Sequence, residues 1–72
     1  MGRIGILGNR HRIQGFALAG VEPFAADADE DVVATWSDLP SDLAVLILTP
    51  QAASALGDRL DERRDLLVAV LP

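Results

Sequence analysis

The side chains able to do chemistry are few and gather in two stretches. Asn9, Arg10, His11 and Arg12 form the first, with two of the six arginines and the only histidine of the chain. Asp27, Asp29, Glu30 and Asp31 form the second. There is no cysteine and no lysine, so a thiolate nucleophile, a thiolate metal site and the lysine-ended phosphate loop are all excluded. A single histidine cannot build a histidine metal cluster. Ser37, Ser41 and Ser54 lie in no nucleophile elbow, and His11 has no nearby partner at the spacing of a triad.

Gly2, Gly5 and Gly8 recur at spacings of three, with Gly15 seven further on. A dinucleotide fingerprint requires Gly-x-Gly-x-x-Gly at a strand-to-helix turn, and here that turn offers only Gly8. Gly5 falls inside a strand, where its expected role is close packing of a helix over the sheet. The acidic stretch reads as the start of a helix. Its carboxylates complement the helix dipole, and Asp27 or Asp29 can cap. A calcium loop would need converging oxygens around a glycine, and none is present. A phospho-acceptor receiver needs an acidic pair after the first strand and an aspartate after the third. Those places hold Gly8-Asn9-Arg10 and Thr49-Pro50. No enzyme signature, cofactor site or metal site emerges.

The elements that would position these residues alternate regularly. A first strand spans 3–7, a polar loop 9–12, and a helix 12–19 with Ile13 and Phe16 on one side. Gly15 costs about 1 kcal/mol in a helix interior relative to Ala, which suggests close approach to the sheet or to another chain. A second strand over 21–25 contains Pro23, which cannot donate to a ladder and so belongs at an edge. A helix over 30–39 carries Val32 or Val33, Trp36 and Leu39 on one stripe, with Trp36 read as core rather than interface. The run at 43–48 is unbroken apolar, the mark of a strand buried on both faces in a parallel sheet. Thr49 and Pro50 open a third helix over 51–63, with Ala52 or Ala53, Leu56 and Leu60 apolar. A fourth strand spans 66–71. The expected fold is α/β, a three-layer α/β/α domain with a four-stranded parallel sheet in order 2-1-3-4. Residues 1–72 form one domain.

Net charge is −5, which argues against nucleic acid as a partner. No apolar run approaches a membrane span, and the N-terminus lacks the form of a signal peptide. The absence of cysteine suits a cytoplasmic protein.

The segment Gly15-Phe16-Ala17-Leu18-Ala19-Gly20, behind the strand Ile4-Gly5-Ile6-Leu7-Gly8, resembles the F subunit of the V/A-type rotary ATPases. That family opens with an Ile/Val-rich strand, a Gly-Asp turn, a polar loop and a Gly-Phe-x-Leu-Ala-Gly segment. The strand over 43–49 and the closing 67–72 fit the same frame, so the resemblance covers the whole chain. Asn9 stands where the family has an acidic residue, and Ala17 where it often has a basic one. Family members continue into a C-terminal helical tail beyond the place where this sequence ends at Pro72.

The resemblance implies a non-catalytic central-stalk subunit, cytoplasmic and peripheral to the membrane. It would bind the coiled-coil shaft subunit and, in the assembled complex, affect the catalytic head. Two other readings stand beside it. One is a free-standing interaction module of the same fold. The other is a small-ligand domain that uses the crevice between the first and third strands. With order 2-1-3-4, the switch point falls between those strands, flanked by Asn9, Arg10, His11 and Arg12 and by Thr49, Pro50 and Gln51. These residues are either a solvated polar turn or a partner contact in which Arg10 and Arg12 meet carboxylates.

Overall fold

Four strands alternate with three helices in the computed structural model, which describes residues 2–72 and the side-chain surroundings of all of these but 17–19. The roles expected of Ala17, Leu18 and Ala19 lie outside the described residues. The elements are β1 (Arg3–Gly8), α1 (Arg10–Ile13) followed by a 3-10 stretch (Gln14–Ala19), β2 (Glu22–Ala25), α2 (Asp29–Ser37), β3 (Leu43–Leu48), α3 (Pro50–Leu56) followed by a second 3-10 stretch (Gly57–Glu62), and β4 (Leu67–Val70). All pairings are parallel and the order is β2-β1-β3-β4, as the apolar runs and Pro23 predict.

Strand register decides which residues share a face. Ile6 lies beside Pro23 and Ile47, and Leu7 beside Phe24 and Leu48. Val45 lies beside Leu67, and Ile47 beside Ala69. Side chains alternate along a strand. One face therefore carries Ile4, Ile6, Val45, Ile47, Leu67 and Ala69, and the other Leu7, Leu46, Leu48 and Val68. The main core forms on the second face, where Leu7, Leu46 and Leu48 pack with Val32 and Trp36 of α2 and Ala52 and Leu56 of α3. α2 and α3 touch each other there, whereas α1 packs over β1 and β2 on the first face with Ile13 buried. Right-handed crossovers require this division, because β1 to β2 runs one way across the sheet and β2 to β3 and β3 to β4 run the other.

Several local expectations are corrected. The first helix begins at Arg10, not Arg12, because the Asn9 side chain accepts a hydrogen bond from the Arg12 N–H at 2.9 Å and caps it. α2 has Ala28 at its N-cap with no side-chain bond, so neither Asp27 nor Asp29 caps it. Asp29, Glu30 and Asp31 fill its first turn, where the dipole favours them. α3 stops at Leu56 because Gly57 turns to φ 52°, a left-handed value that side chains disfavour. A Cβ at Gly5 would meet the Phe24 ring of the neighbouring strand and Leu43 rather than a helix. Gly15 is exposed, and no described atom lies near the place of its missing Cβ, so it is not there to approach the sheet. Burial of β3 on both faces is incomplete, since Val45 and Ile47 are half-buried, and elsewhere in the sheet Ile4 is 47% exposed and Leu67 66%.

The amino ends of the strands are tied by Arg3. Its guanidinium donates to Asp42 Oδ1 at 2.9 Å and to Glu22 Oε1 at 2.6 Å, joining β1 to β2 and to the turn before β3. The hydrogen bond to Asp42 raises the Arg3 pKa above its ordinary value. In the turn before β4, a hydrogen bond from Arg63 lowers the Asp65 pKa.

At the carboxyl ends, β1 and β3 meet through Gly8 and Thr49. A Cβ at residue 8 would land on the Thr49 side chain, which is itself 2% exposed and held as the cap of α3. Gly8→Ala should therefore cost about 1–3 kcal/mol, the range for overpacking a tight contact. Thr49→Ser keeps the capping oxygen and removes the methyl group. In thermal unfolding, the double variant Gly8→Ala/Thr49→Ser should recover part of the loss seen in Gly8→Ala.

Candidate functional site

The switch point lies where β1 and β3 leave the sheet. Gly8 ends β1, Asn9 caps α1, and Thr49 caps α3. The Thr49 oxygen accepts from the Ala52 N–H at 3.2 Å, and Pro50 fills the first helical position, both as expected. Asp27, arriving just after β2, accepts from the Arg10 N–H at 3.1 Å. Sequence reasoning missed this role, since the residue that donates the bond is 17 positions away and nothing in local spacing signals it.

The structure therefore divides the seven candidate residues. Asn9 and Thr49 are local anchors, and Thr49 is buried. Arg10, His11, Arg12, Pro50 and Gln51 are exposed and form a polar rim around the end of the central strand pair. The rim holds two guanidinium groups and one imidazole.

The crevice itself is filled. The Thr49 side chain rests on Gly8, and the Thr49 N–H donates to the Leu7 carbonyl at 3.2 Å. Three of the backbone donors at the helix starts are engaged: the Arg10 and Arg12 N–H groups by Asp27 and Asn9, and the Ala52 N–H by Thr49. No enclosed cavity is found among the described residues.

Trp36 takes no part in the rim. It is 3% exposed and donates through Nε1 to Glu62 Oε1 at 3.2 Å, linking α2 to the 3-10 stretch after α3. Ser37 donates back to the Val33 carbonyl within its own helix.

These elements make a small doubly wound parallel domain with a filled switch point, a fold that does not by itself fix a function. The sequence profile of one family, the ATP synthase (F/14-kDa) subunit, matches residues 4–72, and the chain belongs to that family. Its members are non-catalytic components of an ATP synthase complex. Among solved structures, the fold matches the crystal structure of the F subunit of the V-type ATP synthase from Archaeoglobus fulgidus. The TM-score is 0.82 at 20% sequence identity, over 99% of this chain and 98% of that one. No curated protein matches the sequence. No helix among the described residues is long and apolar enough to cross a membrane.

The division of the rim into anchors and exposed side chains has a measurable consequence. Asn9→Ala removes a cap and should lower stability by about 1 kcal/mol. The double substitution Arg10→Ala/Arg12→Ala removes only exposed side chains and should stay within about 0.5 kcal/mol of the parent. Urea unfolding followed by Trp36 fluorescence reads both.

Proposed function

We propose that the chain acts as a central-stalk subunit of a V/A-type, proton- or sodium-translocating rotary ATPase, binding its coiled-coil shaft subunit. Family membership supports the setting. The observation that carries the contact is the rim at the switch point, where the Arg10 and Arg12 side chains stand exposed in an otherwise acidic chain while their own backbone N–H groups are already engaged. Asn9, Arg10, His11 and Arg12, with Thr49, Pro50 and Gln51, form the polar side of this contact. Asn9 and Thr49 shape it and the others face the partner, with Arg10 and Arg12 toward carboxylates on the shaft or the catalytic head. The protein sits at the membrane periphery through the complex.

Exposed charges at the rim of an interface govern association rate and its salt dependence more than final affinity. Arg10→Ala/Arg12→Ala should therefore slow association with the purified shaft subunit of the same organism, most visibly at low salt. Association rates that are unchanged at every ionic strength would remove the rim from the interface, and a wild-type chain that does not bind the shaft would overturn the reading itself. By itself the chain should hydrolyse no ATP. Turnover abolished by changing His11 or Asp42 would show an active site that this reading denies.

A further inference from the structure

The two faces of the sheet are covered unequally. α2 and α3 pack on one face, while α1 and its 3-10 extension make their main contacts with β1 and β2 on the other. Across β3 and β4 the described residues cover that second face only in part: Val45 and Ile47 are half-buried and Ala69 is exposed. Val45, Ile47, Leu67 and Ala69 share it in paired register, with Ile4 of β1 alongside Val45. Leu67 is 66% exposed and Ile4 47%. None of these five residues is polar, and the strip has α1 as a wall along one side.

Its width suits one kind of occupant. Two strands lie about 4.8 Å apart, so with their side chains they form a floor about as wide as one α-helix, near 10 Å. Charge narrows the choice further. The layer beside the strip, residues 10–19, holds Arg10 and Arg12 and no acidic residue. The layer on the far face holds Asp29, Glu30, Asp31, Asp58, Asp61 and Glu62 against Arg59 alone. Of the two helical layers, the one on the covered face is thus acidic and the one beside the strip is basic, while Glu22 and Asp42 at the amino ends of the strands are paired with Arg3. A second copy of this chain stacked on the strip would bring two arginine-bearing α1 layers together, an unfavourable approach.

We propose that this partly covered face of β3 and β4 is the seat of a single amphipathic helix of a partner subunit. The apolar stripe of that helix lies on Ile4, Val45, Ile47, Leu67 and Ala69, and its acidic flank faces Arg10 and Arg12. This rests on the stalk reading above and deepens it: the switch-point rim supplies the charged wall and the strip supplies the floor. Anchoring in such helix-in-groove contacts comes from the apolar side chains.

The test uses the purified shaft subunit and the full chain. Ile4→Ser/Leu67→Ser changes two exposed side chains and should leave the melting temperature nearly unchanged, while affinity for the shaft falls by about tenfold or more. Because the chain has no cysteine, Leu67→Cys and Glu30→Cys each place a single thiol, one on the strip and one on the far layer. Shaft binding should slow maleimide labelling at residue 67 and leave residue 30 unaffected. If the wild-type chain binds the shaft but the serine variant binds equally well and residue 67 stays reactive, the seat is overturned and the stalk reading stands. A wild-type chain that does not bind overturns both. Sedimentation showing that the chain forms a dimer which Ile4→Ser/Leu67→Ser dissociates would assign the strip to a second copy and overturn the helix.

Discussion

The contact between Gly8 and Thr49 governs the carboxyl end of the sheet. It joins the two central strands where they leave the sheet, and it works only because residue 8 has no side chain. Thr49 is then held from three sides: its methyl group rests on Gly8, its N–H donates to the Leu7 carbonyl, and its oxygen caps α3. The next residue after Gly8, Asn9, caps α1 in turn. One close approach thus sets where both helices begin. It also fills the crevice in which doubly wound domains usually hold ligands. Ligand chemistry is traded for a firm edge, and the exposed side chains beyond it are available to meet another protein.

The second organising constraint is the count of helices. Three helices cannot cover both faces of a four-stranded sheet. The direction of the crossovers places two on one face and one on the other. The larger core therefore lies under α2 and α3, around Leu7, Leu46, Leu48 and Trp36. On the opposite face Ile6 and Ile13 are buried while Leu67 stays exposed. Charge follows the same division, with acids concentrated in the thicker layer. This unequal covering leaves the two faces of the sheet with different burial among the described residues.

Much of the fold was legible in the sequence, for identifiable reasons. The unbroken run at 43–48 can only be a central strand, Pro23 can only stand at an edge, and Thr49-Pro50 is a helix start whose chemistry is local. Those signals give the element order and, with the handedness of crossovers, the strand order. The polar stretch at 9–12 was legible as a candidate site because arginine and histidine stand out in an acidic chain. Resemblance in 4–8 and 15–20 pointed to the F subunit of a rotary ATPase, and the chain belongs to the ATP synthase (F/14-kDa) subunit family.

What the sequence left undetermined was settled by groups distant in the chain. Asp27 could have capped the helix that follows it, yet it holds the Arg10 N–H across from β2. Gly5 makes room for Phe24 rather than for a helix, because strand register brings that ring over it. The apolar run ending the chain reads as a strand, but its pattern does not say which side chains are covered: Val68 packs on the core, and Leu67 is exposed. Local spacing encodes caps, turns and strand propensity, since those depend on neighbours within a few residues. Which face a helix covers, and which apolar side chains it leaves bare, depends on where the crossovers carry the chain, and that exists only once the sheet has formed.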